Sequence, residues 1–251
     1  MSQLQKKIQR IQRRENSRGF GFGQAAREQP AAMLLGAIVN DAATAKAAVE
    51  AGADVVLFQG KDAQTVAPAI RELNGEKLTA GAWVETLDES GAASLRDAGC
   101  DFAISTLEAT SSAAVDTDAM GQVIVVSPEM DDTTLRALGP LSLDALFVER
   151  PLTGMTLKDQ LALVRLASFA STPLLVSVAA EASPAELRVL RDSGTALVVP
   201  PAGTAPDALA KLLQALKDVP APRRGRRESG EIAIVPSVPS GHDHDDNGDD
   251  E

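Results

Sequence analysis

Eight short apolar runs recur along the chain, and they constrain its fold more than any other feature. Each run is continuously apolar and rich in β-branched residues, as expected for parallel strands that are buried on both faces. The runs are Leu34–Val39, Asp54–Gln59, Thr79–Val84, Phe102–Thr106, Gln122–Ser127, Ala145–Glu149, Leu174–Val178 and Ala196–Val199.

Helical patterns separate most of these runs. The helical candidates are 42–51, 62–73, 88–98, 157–170, 184–193 and 205–218. Residues 107–121 form the weakest helical segment, so we expect a short or irregular fourth crossover. Strands that alternate with helices indicate βα units and a parallel sheet.

A repeated sequence sharpens this prediction. The three copies are AAVEAGADVVLF at 47–58, SLRDAGCDFAIS at 94–105 and VLRDSGTALVVP at 189–200. Each joins a helix end to a buried strand through a glycine suited to a left-handed C-cap. Gly52 and Gly99 are 47 residues apart, and Gly99 and Gly194 are 95 apart. This period, over eight strands, predicts a closed (β/α)8 TIM barrel of the α/β class; an open doubly wound sheet is the alternative.

Two tails flank the predicted barrel, which spans residues 30–219. Residues 1–29 contain a basic amphipathic helix, expected to pack on the bottom or side of the barrel, and then a glycine-aromatic loop. The apolar stripe of this helix is Leu4, Ile8 and Ile11. Residues 220–251 are first basic and then acidic, and are predicted to be mostly disordered.

The charge distribution limits the class of partner. The net charge is −11, although residues 1–19 carry +5 and residues 220–230 carry +3. An acidic body argues against nucleic acid as the main partner, because neutralising phosphates needs a basic surface. The charged segments 1–19 and 231–251 are candidates for binding a protein partner or for self-association.

Composition excludes several kinds of chemistry. Cys100 is the only cysteine, which rules out an internal disulfide framework and a cysteine-based zinc site. His242 and His244, the only histidines, lie in the acidic tail, so histidine catalysis in the barrel is excluded. No apolar segment resembles a signal peptide or a membrane helix, and we expect a cytoplasmic protein.

Carboxylates follow several of the predicted strands, at the end of the barrel where active sites form. Glu85, Glu129 and Glu149 occupy rim positions and are predicted to converge as catalytic residues. Such a group can provide a general acid or base, or bind a hard cation such as Mg²⁺. Lys61 and Arg150 are predicted electrostatic partners; the alternative is that each glutamate simply pairs with a neighbour such as these.

Other polar residues at the strand ends are predicted to bind the substrate. They are Gln59, Ser105, Ser127, Ser177, Gly203 and Thr204, together with Arg150. Schiff-base chemistry at Lys61 is disfavoured, because this residue lies two positions beyond its strand, where side chains are usually solvated.

The sequences at Ala47–Gly60 and Leu174–Pro200 resemble the aldolase-type barrels that bind phosphorylated substrates or flavin mononucleotide. That group includes the inosine-monophosphate-dehydrogenase-like and nitronate-monooxygenase-like enzymes, whose phosphate loops follow strands seven and eight and are rich in glycine. In this chain those loops contain Glu181 and the pair Pro200-Pro201. Proline has no N–H to donate and a carboxylate repels an anion, so the phosphate loops are degenerate and no cofactor is assigned.

Two functions remain open from the sequence. The first is a small-molecule lyase or isomerase that uses the rim carboxylates. The second is a catalytically degenerate barrel that acts as a binding or assembly subunit through its charged tails; the absence of a histidine or cysteine at the catalytic positions of the resembled enzymes favours it.

Overall fold

The structure is a computed structural model that describes residues 1–16, 31–73, 75–76, 78–149 and 154–220, with the backbone alone at 14–16. The glycine-aromatic loop, Arg150, and the tail from residue 221, with its predicted disorder, lie outside the described residues.

Eight parallel strands form a closed barrel in which each strand pairs with its neighbours in chain order and β8 pairs with β1. The strands are β1 (Leu34–Val39), β2 (Val55–Gly60), β3 (Ala80–Val84), β4 (Phe102–Thr106), β5 (Gly121–Val125), β6 (Ala145–Val148), β7 (Leu174–Ser177) and β8 (Thr195–Val199). All eight coincide with the apolar runs, so the predicted TIM barrel is confirmed and the open sheet is wrong.

Helices follow most of the strands and surround the barrel. They are α1 (Gln3–Asn16), α2 (Ala42–Glu50), α3 (Ala63–Arg71), α4 (Glu89–Asp97), α5 (Asp132–Leu138), α6 (Leu157–Ala170), α7 (Pro184–Asp192) and α8 (Pro206–Asp218). The fourth crossover contains only a 3-10 turn at Ser112–Ala114, which confirms the irregular connection expected there. Helix α5 was not predicted, because it is short and buries only Leu135 and Leu138.

The apolar residues divide into an interior cluster and an outer layer between strands and helices. Phe102 and Ile104 belong to the interior cluster, whereas Ala103 between them packs in the outer layer, as strand alternation requires. Gly81 is needed in the interior, because a Cβ there would lie 2.3 Å from the ring of Phe102. The continuous apolar runs of the sequence therefore reflect burial on both faces of each strand.

Helix α1 closes the end of the barrel at which the strands begin. Leu4 and Ile8 are fully buried in the interior cluster, which confirms that the helix packs on the bottom of the barrel. The Asp101 carboxylate accepts the N–H groups of Gln3 at 2.7 Å and Leu4 at 2.8 Å, so it caps the helix N-terminus. The Ser2 hydroxyl donates to Asp144.

None of the described helices has both the length and the apolar character needed to cross a membrane.

Candidate active site at the barrel mouth

The mouth is the end of the barrel at which the strands finish, and its floor is apolar. Ile38, Trp83 and Val125 are only partly buried and pack on the interior cluster. The Trp83 ring meets the ring of Phe147 edge to face, with centroids 4.9 Å apart and planes at 86°. An aromatic ring that is partly open to the mouth offers a ligand a flat apolar contact.

A cleft of about 520 Å³ opens at the ends of β4, β5 and β6. Three carboxylates line it: Glu108, Glu129 and Glu149. Thr106 and Ser127 add hydroxyl groups to the lining. We call this the mouth cleft; its size suits a small organic molecule, and its polar groups are mostly acidic or hydroxylic.

The loop after β5 holds two of the cleft residues in a fixed arrangement. The Ser127 hydroxyl donates to the Glu129 carboxylate, and the Glu129 N–H donates to Ser127 Oγ at 3.1 Å. Arg165 on α6 supports the same loop from outside, with its guanidinium donating to the carbonyls of Pro128 at 2.6 Å and Met130 at 2.8 Å. A third contact of Arg165, to Asp132 at 2.5 Å, ties the loop to α5.

Glu85 and Lys61 lie together at the neighbouring ends of β2 and β3. The N–H groups of Glu85 and Thr86 donate to the carbonyl of Lys61 at 3.1 and 3.2 Å, and the Glu85 and Lys61 side chains are exposed. Neither residue lines the mouth cleft. The structure thus brings Glu129 and Glu149 to one cleft and sets Glu85 beside Lys61.

Ser105 does not reach the mouth. It follows Ile104 on β4 and therefore faces the outer layer, where it is fully buried. Its Oγ accepts hydrogen bonds from the Gln122 amide at 2.9 Å and the Thr110 hydroxyl at 2.7 Å. Ser105 is therefore not placed to contact a substrate at the mouth. Its hydroxyl instead holds Thr110, in the loop after β4, against Gln122 on β5.

Gln59 and Ser177 have the opposite orientation to Ser105. Each alternates with an interior residue of its strand, Leu57 on β2 and Leu175 on β7, so each stands in line with the barrel interior. Gln59 is exposed and Ser177 is buried at the strand end. Both remain predicted substrate contacts.

The last loop fits a phosphate or flavin phosphate poorly. Gly203 and Thr204 line a separate cleft of about 210 Å³ with the two prolines of the loop. The N–H and hydroxyl of Thr204 both donate to the Pro201 carbonyl, at 3.3 and 2.6 Å, so these donors are already used. Pro200 and Pro201 have no N–H, and we derive no step through a bound flavin.

Carboxylates also occupy helix N-termini around the mouth. Asp41, Asp62, Asp88 and Asp131 cap α2, α3, α4 and α5. Hydrogen bonds from the first helical turn lower the pKa of all four carboxyls; the largest contribution to Asp41 is the N–H of Thr44. At these four helices the position that attracts anions in other proteins is filled by a side chain of the chain itself, whereas Ala205 at the start of α8 supplies no side-chain cap.

The described residues contain no group of three or more His, Cys, Asp or Glu arranged to hold a metal ion. The Mg²⁺ alternative therefore finds no support in this part of the chain. Cys100 is buried within the outer layer, and desolvation raises the pKa of its thiol to about 12, which disfavours the nucleophilic thiolate at neutral pH.

Three residues of this site were not among the predicted ones. Glu108 lies beyond the end of β4, and its position past a strand end could have identified it. Trp83 alternates with Glu85 along β3, which places it one layer deeper in the mouth. Arg165 acts across 35 to 37 residues of sequence, and no local pattern marks such a contact.

Comparison with known proteins identifies the fold. No protein-family model matches the chain, and no curated protein sequence matches it. Among solved structures, a tryptophan synthase from M. tuberculosis superposes with a TM-score of 0.64 at 14% identity, covering 86% of this chain and 98% of that one. The chain has the (β/α)8 barrel fold of these structures.

Two other solved structures agree with this assignment. A 3-keto-L-gulonate-6-phosphate decarboxylase from Vibrio cholerae gives a TM-score of 0.60 at 16% identity, covering 76% of this chain and 98% of that chain. The native KDPGal structure gives 0.53 at 18% identity, with coverage of 77% and 95%. At these identities the likeness shows the fold alone, and the predicted resemblance to inosine-monophosphate-dehydrogenase-like enzymes stays a prediction.

Proposed function

We propose that the protein is a small-molecule lyase or isomerase that transfers protons at the carboxylates of the mouth cleft. The observation that supports this proposal is the placement of Glu108, Glu129 and Glu149 around one cleft beside an apolar floor. Carboxylates positioned against a bound substrate are suited to general acid and base catalysis. The names of the structural neighbours, a synthase and a decarboxylase, agree with an enzyme of this kind by fold analogy.

Glu149 is the proposed base. It is exposed at the end of β6 and stands in line with the interior residue Phe147, so its carboxylate is available to a ligand over the floor. In the proposed step the carboxylate takes a proton from a carbon next to a carbonyl, and the electron pair of that C–H bond moves towards the carbonyl oxygen. The protonated Glu149 then returns the proton to the same carbon. Where that carbon bears a hydroxyl group, the hydroxyl proton can pass to the enolate oxygen, and Glu149 then protonates the former carbonyl carbon while a new carbonyl forms on its neighbour.

The remaining predicted residues receive binding roles in this proposal. Glu129, held by Ser127, orients a substrate hydroxyl, while Gln59 and Ser177 bind from the opposite strands. At the ends of β2 and β3, Lys61 and Glu85 offer the substrate one positive and one negative side chain. Arg150, next to Glu149 in sequence, supplies a further positive charge. Ser105 has no part, because its hydroxyl is committed to Gln122 and Thr110.

The proposed substrate is a small keto or hydroxy compound without a phosphate. The Thr204 donors are already used and the two prolines of the last loop have none, so these residues offer no N–H or O–H to a phosphate. A carbon face or ring of the substrate would lie against Trp83.

Deuterium incorporation tests this reaction whatever product is formed. The protein is incubated in D₂O with a panel of keto sugars and 2-oxo acids, each with its phosphorylated counterpart, and NMR follows the C–H next to the carbonyl. We expect exchange with an unphosphorylated member and a loss of about 10²- to 10⁴-fold in Glu149→Gln. The control Glu181→Gln, an exposed loop glutamate outside the cleft, should keep the wild-type rate.

Two results would count against the proposal. Exchange that is equal in Glu149→Gln and wild type would remove this residue from the chemistry. No exchange across the panel, combined with unchanged Trp83 fluorescence on addition of every compound, would argue that the mouth binds none of them. The fluorescence is specific because Trp83 is the only tryptophan and the chain has no tyrosine.

A binding or assembly role is the second candidate, and one observation favours it. Leu157, Leu161 and Val164 form an exposed apolar stripe on α6, with 71%, 61% and 37% of their surface accessible. Stripes of this kind often mark protein contacts. The test is light scattering after size exclusion on wild type, on the double variant Leu157→Gln/Leu161→Gln, and on chains lacking 1–19 or 231–251.

A further inference from the structure

A third cleft lies at the opposite end of the barrel from the mouth. It has a volume of about 350 Å³ and opens between α1, α8 and the starts of β1 and β2. Its apolar lining consists of Ile11, Ala31, Met33, Leu34 and Leu213. Gly52 completes the wall, because a Cβ there would lie 2.3 Å from the Leu213 side chain. We call this the basal cleft.

Three cationic residues line the basal cleft: Lys7, Arg10 and Lys217. Asp54 is the one acidic residue among the lining residues, and its Oδ2 already accepts the N–H of Leu35 at 2.9 Å. Across the described ranges 1–16 and 31–220 with their gaps, Arg10 and Lys217 form no ion pair with a carboxylate. A local excess of positive charge is notable in a chain whose net charge is −11.

Lys7 is the one cation of the three for which the described part of the fold supplies a hydrogen-bond partner. Its ammonium donates to the main-chain carbonyl of Asp54 at 2.5 Å, and this is the one hydrogen bond of that group among the described residues. An ammonium has three donors, so two are left for water or a ligand. Burial lowers the pKa of Lys7, although the charges of Asp54 and Asp101 oppose the shift.

We propose that the basal cleft binds a small amphiphilic anion, with the anionic head at Lys7, Arg10 and Lys217 and the apolar body against Met33 and Leu213. The cleft volume lies in the range of small-ligand sites, and its combination of apolar walls with three lining cations fits a carboxylate or phosphate that carries a hydrocarbon or ring. The site is separate from the mouth cleft and does not depend on the proposed reaction.

Methionine methyl NMR on the full chain tests the site with octanoate as the probe. Met33 lines the basal cleft and Met130 lines the mouth cleft, so the two methyl signals report the two ends of the barrel independently. We expect octanoate to shift the Met33 signal in a saturable way and to leave Met130 unchanged. Inorganic phosphate and 1-octanol, which each supply only half of the recognised chemistry, should bind at least about tenfold more weakly.

Matched charge variants assign the binding to the three cations. Arg10→Gln/Lys217→Gln should weaken octanoate binding about tenfold, whereas Lys6→Gln/Lys211→Gln removes the same charge from the same two helices outside the cleft and should change it less than about twofold. Thermal unfolding checks that both variants stay folded.

The outcomes that overturn the proposal are distinct. A shift of Met130 without Met33 would move the anion to the mouth. Equal affinity for 1-octanol would make the cleft an apolar site without a role for the cations. An equal loss in the Lys6/Lys211 variant would reduce the effect to the overall charge of the helices.

Discussion

The buried carboxylates at the closed end of the barrel and the exposed Glu149 at the mouth differ in what surrounds them. At the closed end, Asp101 and Asp144 are held by hydrogen bonds from α1 and the residue before it, and serve to fix that helix. At the mouth, Glu149 is exposed and lines an open cleft. The same functional group is therefore structural where the chain supplies its donors, and it is available for chemistry where it meets solvent or a ligand.

The largest expected effect on stability comes from removing an apolar side chain at the closed end. Leu4→Ala should lower the free energy of unfolding by about 3 kcal/mol, because the side chain is fully buried in the barrel interior and leaves a cavity. Urea unfolding measures the change. Leu161→Ala is the matched control, since that leucine is exposed on α6 and its loss should cost less than about 0.5 kcal/mol. Equal effects would mean that α1 does not share the barrel's core.

The next test concerns the support of the mouth. Arg165→Ala should cost about 2 kcal/mol, because two loop carbonyls and Asp132 lose a charged donor. Amide exchange should accelerate at Met130 and its neighbours in the same loop. Arg188→Ala provides the comparison: its ion pair with Asp192 is exposed and 3.9 Å long, so its removal should have almost no effect. Unchanged exchange in the loop would show that it is held without Arg165.

The cap at the closed end is expected to have a smaller effect. Asp101→Asn removes the charge that faces the N-terminus of α1 and one of its two acceptors, at a cost of about 1 kcal/mol. The measurement is again urea unfolding. If Asp101→Asn no longer lowers the free energy of unfolding in a chain that lacks α1, the loss comes from the cap. If it still does, Asp101 stabilises the fold in some other way.

These residues also show what sequence can and cannot predict. The eight strands were predictable because each is apolar without interruption, and α1 because Leu4 and Ile8 recur at helical spacing. Ser105 was misplaced because a strand buried on both faces carries no polar alternation from which to read orientation. The pairing of Glu129 with Glu149, apart from Glu85, depends on loop geometry that no local pattern encodes.

A pH dependence distinguishes the buried carboxylates from the exposed ones. Desolvation raises the pKa of Asp144 and of Asp54 above the unfolded value, although hydrogen bonds to each oppose the shift. The folded state therefore holds these protons more tightly, so this contribution to stability is complete below the unfolded pKa of about 3.9 and declines as the pH rises through the folded pKa. Asp144→Asn should gain stability relative to wild type between pH 4 and pH 7 in urea titrations. If the unfolding free energies of Asp144→Asn and wild type change in parallel with pH, the pKa of Asp144 is not raised by folding.

The smallest expected effect is at the mouth itself. Glu149→Gln should change the free energy of unfolding by less than about 0.5 kcal/mol, because the side chain is exposed. If the same variant also loses deuterium exchange into the substrate, Glu149 contributes to catalysis without contributing to stability, unlike Asp101 and Asp144. A large loss of stability would instead place Glu149 among the structural ones.

The contacts of α1 determine when it can dock during synthesis. Its first turn is held by side chains 97 to 142 positions further along the chain, and its two buried residues enter a space enclosed by all eight strands. This segment therefore finds Asp101 and Asp144 only after the chain has been made as far as the start of β6, and its apolar stripe stays uncovered until β7 and β8 complete the interior. Helix α1 is therefore made before all eight strands and is among the last elements of the barrel to be buried.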